Sequence, residues 1–310
     1  MSEVALGRAA SSPRVSVGWI VAGLVALAVL LPYVAPVTFA WARSYPAAWI
    51  VPVTDWLKAL LYWLARDATF GLFTFKDMTR FVTGLLGYAL AVPKALLSTG
   101  ISLGEDGEGF HIPRLSWAGM LVAVTVWSYL LGGVRLAVLG FVGLGYIALF
   151  GQWDSAMITL SQVVLAVIFG VVGGVLLGIL AYRNPRLEGA VVALLDFMQT
   201  IPTFAYLVPL VFLVGVGPVS GMLATILYAM PPMVRVTMIA LKQVPSELEE
   251  LGRMTGCTTK QSLWKVLVPS ARDGLLVGVN QVIMLTLNMI IIAAMVGAGG
   301  LGFEVLNALR

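Results

Sequence analysis

The stretch Gln243-Val244-Pro245-Ser246-Glu247-Leu248-Glu249-Glu250-Leu251-Gly252-Arg253-Met254-Thr255-Gly256-Cys257-Thr258-Thr259-Lys260-Gln261-Ser262-Leu263-Trp264-Lys265-Val266-Leu267-Val268-Pro269-Ser270 reads as two short helices. Ser246 with Glu249 three residues on is a capping-box pattern that opens the first. Gly256 suits the left-handed position that closes it. Thr258 with Gln261 is a second capping box, Pro269 stops the second helix, and Ser270 with Asp273 resembles the start of the next one. The first helix is expected to present Leu248 and Leu251 on one side, the second Leu263, Trp264 and Leu267. A capped, partly apolar knob suits docking into a groove on a partner. It equally suits an ordinary structured loop, and capping logic leaves both readings open.

On both sides of this loop the chain is apolar at helical length. Gly221–Leu241 precedes it and Gly274–Val296 follows it. Further back lie Val17–Phe39, Trp117–Gly132, Val134–Phe150, Ala156–Tyr182 and Phe204–Val216. Each is near the length that a bilayer requires, so about seven spans are expected. Lysines and arginines collect at cytoplasmic helix ends. Arg183 and Arg186 mark one short cytoplasmic loop, and Lys242, Arg253, Lys260, Lys265 and Arg272 mark another, two spans later. Counting back places Trp153 and Asp154 outside, Arg135 inside, His111 outside, and the N-terminus with Arg8 and Arg14 inside. The first span is too long for a signal-peptide core and no cleavage pattern follows it, so it is read as retained.

Composition agrees with this reading. Of 310 residues, 60% are hydrophobic and 11% charged, and mean hydropathy is +0.96. A soluble domain carries about a quarter charged residues, so a water-facing surface is not available here. Long apolar runs, rather than short alternating segments, argue against a β-barrel. The net charge of +4 has no basic run behind it, which argues against nucleic-acid binding. Cys257 is the only cysteine and His111 the only histidine. An intrachain disulfide, a His-cluster metal site and a His-based triad are therefore excluded, and no metal site is expected.

Residues 41–112 fit least well. They carry Arg43, Lys58, Arg66, Lys76, Arg80 and Lys94 on what the count makes the outer side, partly offset by Asp55, Asp67 and Asp77. From Trp49 to Leu64 the apolar residues follow a 3.6 period interrupted by Asp55 and Lys58, which predicts an amphipathic helix in the interface. Phe81–Leu97, with Gly84, Gly87 and Pro93, is expected to be a second interfacial or re-entrant element. Gly104–Gly109 reads as a polar turn. The expected organisation is a first span in 1–45, an interfacial scaffold in 46–112, a helix hairpin in 113–153, and a core in 154–310 that holds the loop 243–270.

Glu250, then Gly256, then Val266-Leu267-Val268-Pro269 resembles the signature loop of bacterial ABC-importer permeases, which runs Glu-Ala-Ala, three residues, Gly, nine residues, Ile-x-Leu-Pro. The chain departs from that pattern at Leu251, Gly252, Val266 and Val268, mostly apolar for apolar. Gly252 loosens the first helix by up to about 1 kcal/mol relative to alanine. Leu195-Asp196-Phe197-Met198-Gln199-Thr200-Ile201-Pro202, Tyr206-Leu207-Val208-Pro209, Ala229-Met230-Pro231-Pro232-Met233-Val234-Arg235, Asn280-Gln281-Val282-Ile283-Met284-Leu285 and Met295-Val296-Gly297-Ala298-Gly299-Gly300-Leu301-Gly302 are similar to segments of the glycine betaine/proline betaine (quaternary-amine) branch. The likeness covers about 113–310. The family carries a further span after the Gly-Gly-Leu-Gly turn. Its lack here points to a longer product or to a subunit without that helix, and the first is favoured.

The resemblance implies an all-α membrane protein with the transmembrane domain of a type I ABC importer, in the bacterial inner membrane. It implies a cytoplasmic ABC ATPase dimer that uses ATP and Mg, an external substrate-binding protein, and a second permease subunit, expected to be an identical copy. This chain has no Gly-x4-Gly-Lys-Ser/Thr, so it is expected to bind no cofactor itself and not to be an enzyme. Glu249, Glu250, Arg253, Gly256, Thr258, Trp264 and Pro269 would couple it to the ATPase. Met198, Gln199, Thr200, Phe204, Tyr206, Asn280, Gln281, Met284 and Asn288 are candidates for the translocation path, where soft and aromatic groups suit a methylated ammonium. Packing or lipid contact weighs equally for each of these. The cargo would be glycine betaine, proline betaine, choline or trimethylamine N-oxide, with another small amine or amino acid as the near alternative. A channel or ion-coupled transporter is the distant one.

Three other signals are weighed. Gly297-x-Gly299-x-x-Gly302 has the spacing of a dinucleotide fingerprint but follows a membrane helix instead of a strand, and reads better as a flexible turn. Gly170, Gly174 and Gly178 form a small-residue stripe, read as packing within the subunit ahead of a dimer seam. Asp196 and Arg235, near cytoplasmic ends, read at least as well as a structural pair as they do as functional charges.

Overall fold

The computed structural model describes residues 17–34, 50–69, 71, 73–103 and 110–310. By contact the chain falls into two units, 1–60 and 61–310. In the first unit, α1 (Val17–Val34) is an exposed apolar helix. Its apolar stretch, Gly18–Leu30, is shorter than a full span. Residues 35–39 of the expected first span lie outside the described residues, as do Trp49, Gly104–Gly109 and the arginines at 8, 14 and 43.

From the boundary onward the order is α2 (Val53–Arg66), α3 (Phe75–Lys94), a π-turn (Ala95–Thr99), then a two-stranded antiparallel ribbon, β1 (Ile101–Leu103) and β2 (Phe110–Ile112). Next come α4 (Trp117–Leu149), α5 (Trp153–Arg183), α6 (Pro185–Thr200), α7 (Thr203–Val214) and α8 (Pro218–Lys242). Then follow α9 (Ser246–Met254), α10 (Thr259–Ser262), α11 (Arg272–Ala293) and α12 (Gly300–Ala308). Among the described residues, five helical segments are long and apolar enough to cross a membrane: Phe75–Thr99, Trp117–Leu149, Trp153–Arg183, Pro218–Lys242 and Arg272–Val296. The number is six if α6 and α7, bent by 102° to each other, form one broken span.

Two expectations change here, and the expected hairpin takes a definite form. Phe81–Leu97, read as interfacial or re-entrant, lies within one helical segment of span length, Phe75–Thr99. Thr74 and Asp77 close a full capping box at its start, and the π-turn begins at Ala95, two residues after Pro93. Phe204–Val216, read as a span of its own, falls mostly in the second limb of the bent pair, Thr203–Val214, because Ile201 and Pro202 are extended. The α4 segment turns at Gly132 and at Gly133, whose φ of +69° favours glycine. A Cβ on Gly140 would stand 3.1 Å from Ser128 Oγ and 3.7 Å from Val124 Cγ1. Contacts across so few residues require the chain to fold back, so α4 is a hairpin of two arms, each about 24 Å long at 1.5 Å per residue.

The centre of the bundle is α8, which packs against α5 on one side and α11 on the other. Glycines permit the closeness. A Cβ on Gly174 would lie 2.6 Å from Met233 Cβ, and one on Gly178 2.6 Å from Thr237 Cβ. From the other side, Gly274 lies equally close to Ala240 and Gly278 to Met233. Gly170 meets Val282 of α11. The glycine stripe thus serves packing inside the subunit, the arrangement by which small residues let helix backbones approach in lipid.

Candidate functional site

The loop between α8 and α11 is folded, and its closure is local. At the end of α9, Gly256 has φ +79°. Its N–H donates to Arg253 O at 3.0 Å, and the Cys257 N–H donates to Gly252 O at 3.0 Å. Together these bonds make a Schellman motif, which needs a residue without a Cβ at the turn. The second capping box is present: Gln261 N–H donates to Thr258 Oγ1 and Thr258 N–H to Gln261 Oε1.

The first expected box is absent. Pro245, extended at φ −55° and ψ 136°, precedes the first turn of α9, so Ser246 is already helical and does not cap. Glu249 instead pairs with Arg253 one turn on, at 2.7 Å. Pro269 does not end the second helix either. A π-turn over Leu263–Leu267 precedes it, the helix continues to Ser270, and the break falls at Ala271. A proline supplies no N–H, and a widened turn upstream accommodates that gap. Ser270 makes no cap; Ala271 stands at the start of α11.

Leu263 and Leu267 do not face outward as expected. They are buried, 4% and 6% exposed, with Ile179, Ala240, Leu241 and Ala271. They anchor the loop to the ends of α5 and α8. Leu251, Met254 and Trp264 are the apolar side chains left on the surface, at 53%, 79% and 46%. Glu250, Gly256, Thr258 and Pro269 are exposed beside them. Gly252 is buried against Val266 and Ser262, where the two short helices cross.

The candidate path residues divide. On α11, Asn280, Met284 and Asn288 recur every four residues on one exposed face, with Gln281 beside them. The opposite face, with Val282, Thr286 and Met289, is buried. On α6, Gln199 and Thr200 are exposed and Met198 is half-buried; Phe204 begins α7 exposed. Tyr206 is buried. Its hydroxyl donates to the Met198 carbonyl across the bend, and its ring stands edge-on to Tyr228 at 6.0 Å. Tyr206 therefore holds the bend between α6 and α7. Asp196 pairs with Arg235, and Glu188 with Lys242, so two ion pairs tie α6 to α8.

Sequence reading did not single out the polar side chains that hold the glycine-rich turn. Gln162 Nε2 donates to Ala298 O, Leu301 N–H donates to Thr159 Oγ1 at 2.8 Å, and Ser155 Oγ donates to Glu304 Oε1 at 3.1 Å. The turn read as flexible is pinned to α5. The signal was available, since Ser155, Thr159 and Gln162 lie one turn apart on a face of an otherwise apolar helix.

Comparison with known proteins matches residues 170–310 to the family described as "Binding-protein-dependent transport system inner membrane component". The trimethylamine N-oxide transport system permease protein TmoV of Ruegeria pomeroyi is 37% identical over 300 residues, 97% of this chain and 44% of that protein. The glycine betaine/proline betaine transport system permease protein ProW of Salmonella typhimurium is 43% identical over 190 residues, 61% of this chain and 53% of that protein. The glycine betaine transport system permease protein OpuAB of Bacillus subtilis is 42% identical over 202 residues, 65% of this chain and 70% of that protein. The chain thus spans about half the length of the first two. With a family model over its core, this identity across most of OpuAB, and a predominantly helical fold of several apolar spans, the chain belongs to the family of multi-pass inner membrane components of binding-protein-dependent transport systems.

Proposed function

We propose that the chain is the permease subunit of an ATP-driven, binding-protein-dependent importer of a quaternary or methylated amine, such as glycine betaine, proline betaine or trimethylamine N-oxide. The observation that carries this reading is the similarity, at about 40% identity over 190 to 300 residues, to permeases named for those compounds. The loop 243–270 supports the coupling role. It is anchored from within by Leu263 and Leu267, and it offers Leu251, Met254 and Trp264 beside Glu250 to a cytoplasmic ATPase dimer that binds ATP and Mg. The chain then moves substrate without hydrolysing ATP. The exposed Asn280, Gln281 and Asn288 support a second permease copy, because polar side chains at mid-span are costly against lipid and favoured against a partner or an aqueous path. A binding protein delivers the cargo from outside.

The test is uptake of a labelled panel of methylated amines into cells with and without the gene, with the partner subunits present. Loss of uptake of one compound names the cargo. No difference across the panel overturns the amine assignment. Isolation of the active transporter without any ATP-binding subunit would favour a channel or an ion-coupled carrier instead.

A further inference from the structure

At one end of the hairpin α4, between its two arms and the start of α5, lies a cleft of about 480 Å³ that no role described so far occupies. Its walls are apolar. Trp117 and Leu121 come from the first arm, and Phe141, Gly145, Ala148 and Leu149 from the second. From Leu149 to Phe141 is eight residues, so the cleft runs about 12 Å along the helices. At its mouth stand Arg114 and Asp154, paired with each other, with Arg114 also donating to the Ser98 carbonyl. Both charged side chains remain more than half exposed.

Two further features fix the level of this mouth. Trp117 and Trp153 line it, and the rings of Tyr146 and Phe150, their centroids 4.3 Å apart and their planes tilted by 33°, lie at the same end of the hairpin. Tryptophan and tyrosine gather where a bilayer meets water. The mouth is thus at headgroup depth and the apolar walls descend into the hydrocarbon. A small methylated amine fills only part of this volume and leaves most of the apolar wall bare. An anionic headgroup meets Asp154 beside Arg114. A headgroup that carries both signs satisfies both residues, its phosphate on Arg114 and its ammonium on Asp154.

We propose that the cleft between the arms of the hairpin holds one phospholipid with a zwitterionic headgroup, an acyl chain lying along Leu121, Phe141 and Gly145 and the headgroup bridging Arg114 and Asp154. Such a lipid is a structural part of the subunit and wedges the hairpin against α5.

The test uses the purified full chain, stripped of lipid in detergent, given phosphatidylethanolamine or phosphatidylglycerol, and examined by native mass spectrometry. One phosphatidylethanolamine is expected to remain bound, in preference to phosphatidylglycerol. Gly145 lines the cleft and a Cβ there meets nothing within 4 Å, so Gly145→Leu is the variant that places an apolar side chain in the cleft. That variant is expected to lose affinity about tenfold. The double variant Arg114→Gln with Asp154→Asn is expected to lose the headgroup preference. Equal retention by Gly145→Leu overturns the site, and equal binding of phosphatidylglycerol overturns the headgroup assignment. A photoactivatable acyl chain on phosphatidylethanolamine gives a readout that needs no variant. Cross-linking at Leu121 or Phe141 supports the proposal, and cross-linking only elsewhere overturns it.

Discussion

Thr237 of α8 lies directly over Gly178 of α5: a Cβ on residue 178 would stand 2.6 Å from the Thr237 Cβ and 2.9 Å from the Val234 carbonyl. No side chain fits there unless the two helices separate. Gly178→Val is expected to destabilise the protein by about 1–3 kcal/mol, the usual range for overpacking. Gly143→Ala, where a Cβ meets nothing, is the matched control. Thermal melting in detergent reads both, and an unchanged midpoint for Gly178→Val contradicts the packing described.

Leu263 and Trp264 are neighbours with opposite duties. Leu263→Ala removes a buried anchor and should cost about 2–5 kcal/mol of stability. Trp264→Ala removes an exposed ring, and the melting temperature is expected to stay close to that of the unaltered protein while uptake falls. If Trp264→Ala transports normally with its partners, the docking role of that surface is lost.

Gly256 tests the loop differently. At φ +79° alanine is strained by about 1–2 kcal/mol. Proline is excluded, since its φ is locked near −65° and its missing N–H deletes the bond to Arg253. Gly256→Pro is expected to insert in the membrane normally and to uncouple ATP hydrolysis from uptake. Gly256→Ala should transport at a reduced rate. Normal uptake by the proline variant would sink the coupling role.

Thr159 accepts the Leu301 N–H in a buried setting. Thr159→Val keeps the shape and leaves that donor without a partner, a loss of about 1–3 kcal/mol. The expected outcome is faster amide exchange across Gly300–Ala308, with α5 itself unchanged. Equal exchange rates would show that Gln162 and Ser155 hold α12 without Thr159.

Local signals were legible and non-local ones were not. Gly256, the Thr258–Gln261 box and the α5, α8 and α11 spans were readable because each depends on residues a few positions apart. The reading of Ser246 as a cap failed because Pro245 holds the cap position and the helix begins at Ser246, one residue earlier than the motif supposes. Leu263 and Leu267 were read as outward-facing because periodicity shows that a helix has an apolar face and not what that face meets. They meet Ile179, more than eighty residues earlier in the chain. Spacing alone put Asn280, Met284 and Asn288 on one face of α11, and that face is exposed; it could not show that Tyr206 is buried and bonded to the Met198 carbonyl across the bend.

Sequence alone determined that this chain lives in a membrane, because so few charges cannot clothe a soluble surface, and that a capped loop joins two of its spans. Tertiary structure decided which glycines are contacts, which leucines are anchors and what pins the glycine-rich turn. Those choices depend on which helices meet. In lipid, helix pairing is settled by close packing and by polar groups finding each other across the bundle, as Gln162 and Ala298 do 136 residues apart.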